Sequence, residues 1–69
     1  MDNTIKDQRA RLGLTQAQLA DQVDVSRQTI IAIERGRFDP TLRLAFALSH
    51  ALGVDIVDLF TPTLERKPS

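Results

Sequence analysis

Two stretches decide the fold: Leu14-Thr15-Gln16-Ala17-Gln18-Leu19-Ala20 and, after a short turn, Val25-Ser26-Arg27-Gln28-Thr29-Ile30-Ile31-Ala32-Ile33-Glu34-Arg35-Gly36. In each, a hydroxyl residue, Thr15 or Ser26, stands second and is followed by apolar residues at helical spacing. Thr15 and Gln18 fit a capping box, in which a hydroxyl and a side-chain amide satisfy two orphan N–H groups at a helix start. Ser26 is a good N-cap by the same chemistry, and Gly36 is a C-terminal stop. Leu19, Ala20 and Val23 fall on the inner side of the first helix, and Ile30 and Ile33 on that of the second, with Val25 also in the core. Two short helices joined by three or four residues form a helix-turn-helix unit, expected over about residues 15–35.

The outward side of the second helix carries the chemistry. At about 100° of rotation per residue, the side opposite Ile30 and Ile33 presents Gln28, Ile31, Ala32 and Arg35, with Arg27 beside them. Arginine pairs bidentately with guanine, glutamine with adenine, and an apolar side chain suits a thymine methyl. Base contacts are therefore expected from Arg27, Gln28, Ile31 and Ala32. A solvated helix face also tolerates Arg and Gln, and Ile31 is either such a reader or a scattered surface apolar residue.

Working outward, glycines and prolines at Gly13, Gly36, Pro40, Gly53 and Pro62 separate five helical segments. The first, about Thr4 to Leu12, opens on a Thr4-x-x-Asp7 cap and sets Ile5, Gln8/Arg9 and Leu12 on one face. The fourth runs from Thr41 to Leu52, and a short fifth starts at the cap Asp55 and ends near Phe60. Strand alternation is absent except in the tail, Thr61 to Leu64, which reads as a short extended piece. The expected architecture is all-α, a five-helix bundle forming one domain over 1–69, with a dimerisation part over 42–64.

Composition narrows the function. Sixty-nine residues hold one small core, so oligomerisation is an obvious source of added stability. With no cysteine and only His50, no disulfide framework, metal site or cofactor is expected. No run approaches a membrane span and the first residues do not form a signal peptide, which points to a cytoplasmic protein without a membrane partner. Nine basic and nine acidic residues cancel, yet Arg27, Arg35, Arg37 and Arg43 face only Glu34 and Asp39 within Ser26 to Arg43. One basic face on a neutral protein can still bind phosphate. Without Trp or Tyr, and with three Phe, a base-stacking platform for single strands is not expected. No nucleophile–base pair or carboxylate pair stands out, so an enzyme is not expected.

The two quoted stretches, together with Asp39-Pro40-Thr41-Leu42 and Ala51-Leu52-Gly53-Val54-Asp55, resemble the Xre family of phage repressor and Cro-like helix-turn-helix proteins over roughly residues 5 to 60. The resemblance implies a lambda-repressor-like fold. It also implies that Ser26, Arg27 and Gln28 enter the major groove, with Ala32 one turn deeper at a position where the family often has a polar reader. Thr15 and Gln16 would meet a phosphate, and Arg35 and Arg37 the flanking backbone. Arg43 is either a further backbone contact or a solvated helix-start residue. Family members often pair the positions of Arg9 and Glu34 in a structural salt bridge. Asp24 departs from the family's usual glycine at the turn, but aspartate can take the left-handed conformation at modest cost.

On the fourth helix Leu42, Leu44, Ala45, Phe46, Leu48, Ala51 and Leu52 cover more than half the circumference, wider than one packed face needs. Leu44, Phe46, Val57, Phe60 and Leu64 are therefore expected at a homodimer interface, unless the fifth helix and tail wrap round and cover them within one chain. A dimer would read two half-sites about 34 Å apart. The expected function is sequence-specific binding to a palindromic double-stranded DNA operator, most simply as a repressor. The alternatives are an antitoxin-type regulator that also binds a toxin, or a protein-interaction adaptor without DNA binding.

Overall fold

The computed structural model describes residues 2–61. Its elements run β1 (Asp2–Asn3), α1 (Ile5–Arg11), α2 (Gln16–Gln22), α3 (Arg27–Glu34), α4 (Leu42–Leu52), α5 (Ile56–Leu59) and β2 (Phe60–Thr61). Three helix starts follow directly from local chemistry. Thr15 closes a capping box with Gln18, Ser26 accepts from the Thr29 N–H, and Thr41 accepts from the Leu44 N–H. Each cap satisfies a backbone donor that the first turn leaves without an intrahelical partner.

The core draws on every helix. The side chains most completely buried are Ile5 of α1, Leu19 of α2, Ile30 and Ile33 of α3, Leu48 and Leu52 of α4, and Leu59 of α5. Burying each such side chain contributes roughly 1.5–3 kcal/mol. Every helix thus contributes to one shared core.

Four features differ from the sequence expectation. Thr4 stands at the start of α1, but its hydroxyl makes no cap and donates instead to the Asp58 carbonyl at 2.8 Å. The carboxamide oxygen of Asn3 takes the Ile5 N–H at 3.2 Å. The cause is tertiary: Asp2–Asn3 pairs antiparallel with Phe60–Thr61, which brings the Thr4 hydroxyl over α5. That pairing also ends α5 at Leu59 and leaves Phe60 extended. Leu12, expected on one face with the now buried Ile5, is 45 % exposed, because α1 stops at Arg11 and the chain turns at Gly13. Phe60, expected at a dimer surface, is only 6 % exposed and belongs to the core of its own chain. Here the chain does wrap round and cover its own apolar residue. Of the expected extended tail, Thr61 falls in β2, while residues 62–64, Leu64 among them, lie outside the described residues.

Candidate nucleic-acid interface

The turn between α2 and α3 sets the site. Asp24 adopts φ 60°, and the Val25 N–H reaches back to the Ala20 carbonyl at 3.0 Å. This left-handed closure satisfies orphan carbonyls of α2 and redirects the chain into α3 without a glycine. Ser26 then caps α3, its hydroxyl within 3.0 Å of the Thr29 hydroxyl and 3.2 Å of the Thr29 N–H. The cap leaves Arg27 and Gln28 exposed in the first helical turn, while Ile31 and Ala32 are half-buried one turn on. Arg27, Gln28, Ile31 and Ala32 thus follow one another along α3, the polar pair exposed and the apolar pair partly covered.

α3 ends in a second left-handed turn. Gly36 takes φ 74°, its N–H donates to the Ile33 carbonyl at 2.9 Å, and the Arg37 N–H donates to the Ala32 carbonyl at 2.9 Å. A side chain at that φ would be strained, which explains glycine there. Arg35 and Arg37 flank Gly36 and are both exposed.

Beside α3 lies a groove of about 320 Å³ lined by Lys6, Gln16, Arg27, Ile31, Glu34 and Arg35. Its single carboxylate is already engaged. Arg9 donates to Glu34 from Nε at 2.8 Å and from Nη2 at 3.2 Å, and Gln16 adds a bond from Nε2 at 3.1 Å. With Glu34 balanced by Arg9, the groove keeps the positive charge of Lys6, Arg27 and Arg35. Lys6 is a member that reading α3 as an isolated helix does not reach. It comes from α1, and only the packing of α1 on α3 brings it here. Gln16 is half-buried and held by Glu34, which orients its amide at the start of α2. Thr15 is exposed, with its hydroxyl bonded to the Gln18 N–H at 3.0 Å.

Arg43 sits apart. It lines a more apolar cleft of about 480 Å³ with Asp24, Val25, Thr29, Phe38, Thr41 and Leu44, among others. Farther round, Leu42, Phe46 and Val57 are 69 %, 58 % and 79 % exposed, whereas Leu44 is half-buried against the core. The five residues expected at a dimer surface therefore divide: Phe46 and Val57 are open, Leu44 is partly covered, Phe60 is inside, and Leu64 is not described. Among the described residues no group of three or more His, Cys, Asp or Glu side chains could hold a metal ion. No described helix is long and apolar enough to cross a membrane.

This arrangement has close counterparts. The helix-turn-helix family pattern matches residues 5–59. An uncharacterised HTH-type transcriptional regulator from Methanocaldococcus jannaschii is 53 % identical over 60 residues, covering 87 % of this chain and 91 % of the relative. The immunity repressor protein of Bacillus phage phi105 is 40 % identical over 52 residues, covering 75 % of this chain but 36 % of the repressor. In structure, the restriction-modification controller protein C.AhdI from Aeromonas hydrophila superimposes with a TM-score of 0.75 and 28 % identity, covering 81 % of this chain and 85 % of that protein. The chain therefore belongs to the Xre/Cro-like helix-turn-helix family of DNA-binding transcriptional regulators.

Proposed function

We propose that the protein acts in the cytoplasm as a homodimeric repressor of a palindromic operator. The observation that supports this best is the division of its surface. Arg27 and Gln28 stand exposed at the capped start of α3, next to a groove bearing Lys6 and Arg35. Exposed Leu42, Phe46 and Val57 belong instead to α4 and α5. The first face suits phosphate and base edges; the second has the apolar character of a self-association surface.

In this reading α3 lies in the major groove. Arg27 and Gln28 select bases, Ile31 and Ala32 meet thymine methyls, and Thr15, Gln16, Ser26, Arg35 and Arg37 hold phosphates, with Arg43 a flanking contact. Two copies joined through Phe46 and Val57 read two half-sites, and occupancy of the operator blocks transcription. No catalysis or cofactor is involved. Selection of bound sites from randomised duplexes, with sedimentation of protein and complex, tests the reading. It expects inverted-repeat sites and two chains per site. Single half-sites bound by monomers, or no preference over random DNA, would overturn it.

A further inference from the structure

We propose that Asn3 is a positioning residue for DNA binding, holding the C-terminal end of α3 and the arginines just beyond it; the proposal rests on the DNA-binding reading above. The Asn3 carboxamide spans thirty positions of sequence to donate from Nδ2 to the Ile33 carbonyl at 2.8 Å. Its oxygen accepts the Ile5 N–H at 3.2 Å. Ile33 O also receives the Gly36 N–H at 2.9 Å, so Asn3 grips the very carbonyl that closes the turn carrying Arg35 and Arg37.

The other side of this grip is anchored. Asn3 pairs with Phe60 across the β1–β2 ladder, and Phe60 is buried in the core. Thr4 adds two bonds, its N–H to the Leu59 carbonyl at 2.8 Å and its hydroxyl to the Asp58 carbonyl at 2.8 Å. The end of the reading helix is thereby tied through one side chain to the paired chain segments beside α5. The nearby Arg9–Glu34 pair joins α1 to α3 through the Glu34 side chain. The Asn3 bond holds the main chain of α3 itself.

Only a carboxamide meets both demands, because one short planar group must offer an N–H to Ile33 and an oxygen to Ile5. Aspartate keeps the acceptor, loses the donor, and turns a negative oxygen toward a carbonyl. Alanine loses both. With the tie cut, the Arg35–Arg37 turn can shift relative to α1 and α2, and its phosphate contacts slacken while α3 stays helical.

The test uses the full chain, with Asn3→Asp and Asn3→Ala each made alone and combined with Arg35→Ala. All are titrated with one duplex across a salt series, at a temperature where circular dichroism shows every variant folded. Each single Asn3 variant should bind about tenfold more weakly and lose about one unit of salt slope, and should cost little more once Arg35 is already gone. Losses that add fully in the double variants, or Asn3 variants that bind as wild type does, overturn the proposal. If Asn3→Asp or Asn3→Ala does not fold, Asn3→Ser, whose single short hydroxyl cannot serve both Ile33 and Ile5, takes its place with the same expected loss and the same overturning result. A wild-type chain that does not bind duplex DNA overturns the functional reading itself, and so is told apart from a failure of the Asn3 tie alone.

Discussion

The guanidinium of Arg9 and the carboxylate of Glu34 face each other edge to edge, with bonds of 2.8 and 3.2 Å joining α1 to α3. Their side chains are only 14 % and 5 % exposed. Arg9 also donates from Nη1 to the Leu14 carbonyl at 2.9 Å, so one side chain of α1 binds both the chain just before α2 and the end of α3.

Arg9→Ala should therefore destabilise the fold before it touches recognition. It leaves the Glu34 carboxylate without its counter-charge, at a cost of roughly 3–5 kcal/mol. In so small a domain that should lower the melting temperature by on the order of 10 °C or more. Arg9→Met with Glu34→Leu should recover most of the loss, because no buried charge is then unpaired. Thermal melts of the wild type and the two variants check this; wild-type melting of Arg9→Ala would remove the pair from the stability argument.

Recognition and attachment should separate on α3. Gln28→Ala should relax preference at one base pair per half-site by about 1–3 kcal/mol, leaving non-cognate binding nearly unchanged. Arg35→Ala should instead weaken binding to every sequence alike and lower the salt slope by about one. Titrations over a panel of operator variants at several salt concentrations compare the two. An exchange of these behaviours would exchange the roles.

Asp24 offers a test of local backbone strain. Its φ of 60° closes the turn between α2 and α3. Asp24→Val should cost on the order of 1–2 kcal/mol, since a branched side chain opposes the left-handed conformation. Asp24→Gly should not destabilise, because glycine takes that conformation without steric cost. Urea denaturation of both variants provides the comparison, and equal stability of Val and Gly would contradict the role of the turn.

Self-association should respond to Phe46 and Val57 but not through Phe60. Phe46→Asp with Val57→Asp places charge on the exposed apolar surface and should yield folded monomers that bind a full operator weakly, for want of linkage between half-sites. Phe60→Asp, at a buried position, should unfold the chain instead. Sedimentation and circular dichroism distinguish the outcomes; a double variant that remains dimeric would move the interface elsewhere.

Much of this molecule was written in local patterns. Thr15, Ser26 and Thr41 mark three helix starts by hydrogen bonds reaching only three residues ahead, and Asp24 marks its turn by one backbone torsion. The 3.6-residue period placed Leu19, Ile30, Ile33, Leu48 and Leu52 inside and left Arg27 and Gln28 outside. The exposure of Arg27 and Gln28 on α3 was legible for the same reason: a helix's faces follow from its own spacing.

What the tertiary structure decided lies where distant segments meet. Thr4 has the composition of a cap, yet its hydroxyl serves the Asp58 carbonyl, and Phe60 looked like surplus apolar surface until β2 folded it against the core. Lys6 joins the groove only because α1 packs beside α3, and Asn3 reaches Ile33 only because the paired chain ends carry it there. Periodicity and capping chemistry act over one or two helical turns, so sequence by itself determines the helices and their faces. A hydrogen bond between Asn3 and Ile33 depends on closing the chain over thirty residues, and that closure is set by the packing of the whole core.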